Sequence, residues 1–155
     1  MALVCALVCA SACSDANVAG NYSAQITNRS DGCSLGLAPG DAVMASFTVT
    51  QSGSDVTLMV KDLPGLLIAG FLGSNTFTGS VDGDDVNLER KGTVKATAMT
   101  CEYTYNAKID AGQAGDTMSG RVEYRAATNG AADCGARQGC VTVQDFNATR
   151  PPAAQ

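Results

Sequence analysis

The residues with the most specific chemistry stand near the start of the chain, where a run of small residues ends at a cysteine. Residues 2–9 are wholly apolar, and Ala10-Ser11-Ala12-Cys13 follows them. This apolar stretch is shorter than the about 20 residues that span a bilayer, and it matches the ~7 to 15 residue core of a secretory signal. Small residues suit cleavage, because the peptidase must accept an extended, slim segment. We therefore predict that residues 1–12 are a signal peptide, which places the mature protein in an oxidising compartment.

Residues 10–13 resemble the end of a bacterial lipoprotein signal. The resemblance implies that Cys13 becomes the first mature residue and carries acyl chains on its sulfur and its amine. Residues 13–17 would then be a lipidated tether, with the membrane as a partner and the bacterial cell envelope, in particular the outer membrane, as the location. The alternative is an ordinary cleavage site with an incidental Cys13 and a secreted or periplasmic protein.

The remaining cysteines predict disulfides. Of seven cysteines, Cys5 and Cys9 leave with the signal and Cys13 is assigned to lipid. Four remain, and an even number in an oxidising compartment favours two disulfides among Cys33, Cys101, Cys134 and Cys140. Metal ligation is disfavoured, because the chain has no His and no C-x-x-C spacing.

Length, charge and composition limit the classes of protein to which this chain can belong. Residues 18–150 are long enough for one domain with its own core, followed by a polar tail at 151–155. The formal net charge of -5 argues against nucleic acid as a partner, since phosphate binding requires clustered Lys and Arg. Charged residues make up only 16% of the chain, and Thr, Ser, Ala, Gly and Val are abundant, which suits exposed β-strands.

Alternation of apolar and polar residues predicts strands throughout, and no segment predicts a helix. A weak repeat relates residues 47–58 to residues 77–88, and each copy predicts a hairpin around a glycine turn, at 52–54 and 82–84. A third hairpin is predicted with its turn at 111–115. The predicted fold is a single eight-stranded antiparallel up-and-down barrel of the lipocalin-like kind, with a β-sandwich as the alternative. The eight predicted strands are 21–26, 43–50, 56–60, 76–81, 86–88, 101–109, 118–124 and 141–149.

In such a barrel the turns at 52–54, 82–84 and 111–115 share one end, and the longer connections share the other, open end. All four remaining cysteines fall at the open end. Strand adjacency favours pairing Cys33 with Cys140 and Cys101 with Cys134. The alternative joins Cys134 to Cys140 within one loop and Cys33 to Cys101 across the mouth.

Three features are candidates for binding. Residues 63–72 are the most apolar mature segment and lie at the open end, where a plug, a lid and a contact surface are the alternatives. Asp82, Asp84 and Asp85 form an acidic hairpin, but the calcium-loop pattern is absent and we predict no metal. Six aromatic residues fall on the presumed inward face and could line a ligand site, although we expect the interior to be filled by its own side chains. They are Tyr22, Phe47, Phe77, Tyr103, Tyr105 and Tyr124.

Catalytic chemistry has few candidates. Without His there is no ordinary general base near neutral pH, and cysteines in disulfides are not nucleophiles. Glu89, Glu102 and Glu123 could act as carboxylates, but alternation places them on the outer face. No cofactor-binding motif is present, and we predict that the protein is not an enzyme.

Several segments resemble uncharacterised secreted lipoproteins of environmental bacteria, and the likeness covers nearly the whole mature chain. In shape the predicted barrel is similar to the calycins, the lipocalin and avidin class, although the lipocalin G-x-W motif is absent. We predict an envelope-anchored, non-catalytic binding or interaction module of unknown specificity, with the open-end loops as its contact surface and an envelope protein or a small apolar ligand as its partner. The alternatives are a lipocalin-like carrier of a small apolar ligand and, least favoured, a carboxylate-dependent enzyme. The segments that carry the resemblance are Gly20-Asn21-Tyr22, Phe77-Thr78-Gly79-Ser80-Val81, residues 101–107, residues 133–140 and residues 146–152.

Overall fold

The computed structural model, which describes residues 15–151, contains nine strands and one α-helix, and eight of the strands form a closed β-barrel. The predicted all-β fold is therefore confirmed, and so is each of the eight predicted strands. The helix is α1 (Asp62–Leu72). The strands are β1 (Gly20–Asp31), β2 (Ala42–Ser52), β3 (Asp55–Val60), β4 (Thr76–Asp82), β5 (Asp85–Lys91), β6 (Ala96–Ala98), β7 (Cys101–Ala114), β8 (Thr117–Thr128) and β9 (Val141–Thr149).

The sheet closes on itself, which excludes the sandwich alternative. Neighbouring strands pair antiparallel in chain order from β1 to β5, β5 then pairs with β7, and β7, β8 and β9 continue the order. β9 pairs with β1 from Thr149 opposite Ser23 to Thr142 opposite Asp31. Eight strands thus form the barrel, and the short β6 is an additional strand on β7. Closure removes the exposed edges that an open sheet would present.

The two ends of the barrel differ in the length of their connections, with tight turns at one end and longer segments at the other, as predicted. At one end tight turns contain Gly53 and Gly83 with φ values of 61° and 57°, the left-handed region that glycine adopts without a steric penalty. The predicted third turn is misplaced, because β7 continues to Ala114 and the reversal falls at residues 115–116. At the open end lie the loop 32–41, α1, residues 92–100 and the loop 129–140.

The prediction that no segment is helical is wrong for residues 62–72. Pro64 lies in the first turn of α1, where a missing N–H removes no helical hydrogen bond, and the left-handed Gly73 ends the helix by donating to Ala69 O. The sequence pattern does not reveal the helix, because nearly all of its sides are apolar and no polar residues mark a helical period. Within residues 15–151, no helix is both long and apolar enough to cross a membrane.

The tight-turn end of the barrel is filled. The Tyr22 ring stacks on Phe47 with 5.1 Å between centroids, and its hydroxyl donates to the carbonyl of Val18, 3.0 Å away. Beneath it the Arg150 guanidinium donates to Ala19 O at 2.7 Å and to Asp116 at 3.0 Å. The expected filling by side chains is therefore found in this half of the interior.

Both disulfides follow the pairing that strand adjacency favours. Cys33 is bonded to Cys140 and Cys101 to Cys134, and both bonds lie at the open end. The first links the loop after β1 to the residue before β9, and the second links the start of β7 to the short 3-10 helix Ala132–Arg137. The loops 32–41 and 129–140 are thus covalently fixed at the open end of the barrel.

The two disulfides should differ in their contribution to stability. Their loops span 107 and 33 residues, for which a chain-entropy model gives about 4.8 and about 3.7 kcal/mol near 25 °C. Replacing Cys33 and Cys140 by Ala should therefore lower the free energy of unfolding by about 1 kcal/mol more than replacing Cys101 and Cys134. Denaturant unfolding of the two double variants measures this difference, and an equal or reversed order would contradict it.

Candidate functional site

The open half of the barrel contains a cavity of about 670 Å³. Its walls come from inward-facing residues of all the barrel strands except β5, and it is closed on one side by α1 and on another by the loop 32–41. Phe47 and Phe146, whose rings meet edge to face at 6.2 Å, line it above Tyr22. The expectation of a filled interior is therefore wrong for this half, which has the volume of a small-molecule site.

Apolar side chains dominate the lining, which comprises 18 apolar residues out of 22. The four with polar side-chain atoms are Asn28, Asp62, Tyr124 and Gln144. The apolar ones are Ala24, Ile26, Leu35, Leu37, Val43, Met44, Phe47, Leu58, Val60, Leu63, Pro64, Leu67, Ile68, Phe71, Phe77, Ile109, Val122 and Phe146.

The mouth of the cavity lies between α1 and the start of β2. Leu63 and Leu67 of α1 are 66% and 63% exposed, and Met44 of β2 is 66% exposed, although all three line the cavity. Because these side chains contact both the cavity and solvent, we place the mouth at this rim. The segment 63–72, for which a plug, a lid and a contact surface were the alternatives, thus forms part of the cavity wall.

The position of α1 is fixed at both ends. At its start Asn75 Nδ2 donates to Val60 O at 2.7 Å, and a Cβ on Gly65 would lie 2.3 Å from the same carbonyl oxygen, so only glycine permits this approach. At its end the N–H of Thr93 donates to Leu72 O at 3.0 Å. The wall that α1 contributes is thereby held against β3 and the residues after β5.

A chain of three hydrogen-bonded side chains crosses one wall of the cavity. Tyr124 donates from its hydroxyl to Gln144 Oε1 at 3.1 Å, and Gln144 Nε2 donates to Asn28 Oδ1 at 2.7 Å. Asn28 Nδ2 in turn donates to Ala38 O at 3.2 Å. Burial raises the pKa of Tyr124 well above its ordinary value, so its hydroxyl is a neutral donor at physiological pH. We call Tyr124, Gln144 and Asn28 the polar patch.

The loop 32–41 is held in place by one carboxylate. Asp31 accepts hydrogen bonds from the backbone N–H groups of Leu35, Gly36 and Leu37 at 2.7 to 3.0 Å and from the Thr142 hydroxyl at 2.9 Å. Burial alone would raise the pKa of Asp31, but these hydrogen bonds outweigh it and lower the pKa. Because Leu35 and Leu37 line the cavity, Asp31 positions part of its wall.

The structure divides the six predicted lining aromatics into two groups. Phe47, Phe77 and Tyr124 line the cavity. Tyr22 lies below it in the filled half, Tyr105 packs edge to face on Phe71 at 6.1 Å, and Tyr103 lies under the Arg137 guanidinium at 4.7 Å. The last three are absent from the cavity lining.

The acidic candidates lie away from the cavity. Glu123 forms an ion pair with Arg125 at 2.8 Å on the outer face, and the Glu89 side chain is 65% exposed, 3.9 Å from Lys91. Glu102 is also exposed. Asp82, Asp84 and Asp85 lie at the tight-turn end, and in the described part of the chain no group of three His, Cys, Asp or Glu residues could hold a metal ion.

Tyr124 and the segment 63–72 are candidates from the sequence, but Asn28, Gln144 and the helical form of that segment are not predicted. Asn28 lies two residues beyond Ile26, and Gln144 two residues before Phe146, so extending the period-two pattern would have placed both side chains inward. The apolar composition of residues 63–72 indicates the segment, but it lacks a helical period, so no pattern predicts that Leu63, Leu67 and Phe71 line the cavity.

Comparison of the chain with models of known families, with curated protein sequences and with solved structures found no significant match.

The Asp31 contacts predict a pH-dependent contribution to stability. The pKa of Asp31 is lower in the folded protein than in the unfolded chain, where it is about 3.9. The ionised carboxylate therefore stabilises the fold fully at pH values above the unfolded pKa, and this stabilisation is lost as the pH falls through the folded pKa. Asp31→Asn should therefore lower the free energy of unfolding by about 1–2 kcal/mol at neutral pH and by less at pH 3. Denaturant unfolding at both pH values measures the difference from the natural protein.

The control for this experiment is Asp41→Asn, because Asp41 lies at the end of the same loop and its carboxylate accepts no hydrogen bond within residues 15–151. Taking differences from the natural protein removes the contributions of Asp133 and Asp145, whose pKa values are also lowered by hydrogen bonds. A deficit for Asp31→Asn that is as large at pH 3 as at neutral pH would contradict the assignment.

Proposed function

We propose that this protein is a non-catalytic carrier that binds a small, mostly apolar molecule in the cavity of its barrel. The observation that carries the proposal is an open cavity of about 670 Å³ with an apolar lining. Small-molecule sites are concave, mostly apolar and provided with a few fixed polar groups, which matches this lining and its polar patch. The walls are held by disulfides, by Asp31 and by the fixed ends of α1, so the site is formed before a ligand arrives.

The same proposal places the carrier in the cell envelope, anchored through lipid on Cys13. Asp15 accepts a hydrogen bond from the Gly83 N–H at 3.1 Å, so the described chain starts at the tight-turn end of the barrel. Cys13 stands two residues earlier, and a residue spans at most about 3.6 Å. A lipid on Cys13 would therefore hold the tight-turn end at the membrane and direct the cavity mouth away from it.

A second candidate function is a contact surface for an envelope protein. Leu66, which is 71% exposed and does not line the cavity, supports it together with the exposed rim residues Leu63 and Met44. Apolar side chains clustered on a surface favour association with a partner. The presence of the cavity favours the carrier function over the contact-surface function, because a protein that only contacts a partner through its surface does not need an empty interior.

Binding of the neutral dye N-phenylnaphthylamine tests the carrier. The purified protein should enhance its fluorescence with saturation at one site, and Ile26→Trp should weaken binding by about tenfold or more, because an indole added to the lining removes volume from the cavity. The matched control is Met59→Trp on an exposed position outside the lining. Absence of dye binding by the natural protein would reject the carrier and favour the contact surface.

The membrane anchor is tested separately by detergent partitioning. In a bacterial host that lipidates exported proteins, the natural chain should enter the detergent phase and Cys13→Ser should remain in the aqueous phase, because only the acylated sulfur and amine supply the partitioning chains. Mass spectrometry of the mature protein checks the modification. Aqueous partitioning of both proteins would indicate ordinary secretion.

A further inference from the structure

The polar patch has hydrogen-bonding capacity that its own contacts do not use. Gln144 Nε2 carries two N–H groups, and within residues 15–151 the hydrogen bond to Asn28 accounts for one of them. The Tyr124 hydroxyl donates its proton to Gln144, and within the same residues its oxygen accepts no hydrogen bond. A ligand oxygen at this wall could accept from Gln144, and a ligand hydroxyl could also donate to Tyr124.

The charges around the cavity restrict which oxygen group fits. Among residues 15–151, Asp62 is the one charged residue of the lining, and its carboxylate is hydrogen-bonded to the Ser46 hydroxyl. Its charge is negative, and no Lys or Arg of the same range lines the cavity. A carboxylate or phosphate placed here would lose its hydration without a counter-ion, which costs far more than burying a neutral polar group.

Two arginines at the open end of the barrel have unused hydrogen-bond donors and are candidates for an anion site. Arg90 and Arg137 each have a buried Nε without a hydrogen-bond partner in the described part of the chain. Neither residue belongs to the cavity lining, and Arg137 lies over the Tyr103 ring instead. The cavity therefore has donors for a neutral oxygen and no cation for a charged one.

We propose that the ligand class is an electrically neutral, mainly apolar molecule with one alcohol, ketone or ester oxygen at the polar patch, and that fatty-acid anions are excluded. The inference rests on the proposed carrier function. Gln144 determines the specificity by donating to the ligand oxygen, while the apolar lining accommodates the rest of the molecule.

Displacement of the bound dye by decanol, decane and decanoate at pH 8 tests the ligand class. Decanol should bind more tightly than decane, by the about 2- to 12-fold that one net hydrogen bond contributes. Decanoate should bind about tenfold or more weakly than decanol, because its charge is buried without a partner. Equal binding of decanol and decanoate would overturn the inference while leaving the carrier function intact.

Substitutions test which residues cause the difference in affinity between decanol and decane. Gln144→Leu combined with Tyr124→Phe should bring the affinity for decanol close to that for decane, because it removes both donors of this wall. Gln113→Leu, a change at the tight-turn end outside the lining, should preserve the ratio. Tight decanoate binding that Arg90→Gln abolishes would overturn the inference in favour of an anion site. Dye binding without displacement by any of the three compounds would also overturn it, and failure of the dye itself to bind would reject the carrier function.

Discussion

The ladder between the first and last strands is the interaction on which the rest of the structure depends. It pairs Asn28 with Gln144 and Asp31 with Thr142, and it ends where Cys33 meets Cys140. The polar patch, the anchor of the loop 32–41 and one of the two disulfides are thus consequences of a single strand pairing. Without it the sheet would have two exposed edges and no enclosed interior. Closure of the barrel therefore creates the cavity. It also brings together the polar side chains of β1 and β9 that line the cavity or hold its wall.

An irregularity in that ladder determines which side of the sheet Asp31 occupies. The register shifts between Asn28 and Ser30, which leaves Arg29 as the extra residue of a bulge. In a regular strand Asp31 would face away from the side that Asn28 faces, because successive side chains alternate. The bulge instead pairs Asp31 with the buried Thr142, on the inner face at the rim. Only from there can its carboxylate accept the N–H groups of the loop 32–41, and Arg29 is left outside to pair with Asp145 at 2.7 Å.

The sequence predicts the parts of this fold that depend on local pattern. Alternation identifies the barrel strands, the turns at Gly53 and Gly83 order them, and the order brings the cysteines together in the observed pairs. The short β6 has too few residues to show a period, and α1 has no polar face to show one. The cavity is a property of the whole barrel, since its volume depends on strand tilt and on where α1 packs. Phe47 and Tyr105 follow the same alternation, yet only Phe47 lines the cavity, because Phe71 of α1 packs against the Tyr105 ring.

The division of the interior into a filled and an open half follows from the placement of its largest side chains. Tyr22, Phe47 and Phe146 form one contiguous aromatic cluster, with Tyr22 held from below by Val18. Above this cluster the polar patch lies against the apolar space. An isolated amide in such a place would carry a desolvation penalty, but donation from Tyr124 and donation to Asn28 satisfy Gln144 enough for it to remain buried. The patch is therefore stable without a further partner for the second N–H of Gln144, and the fold does not depend on one.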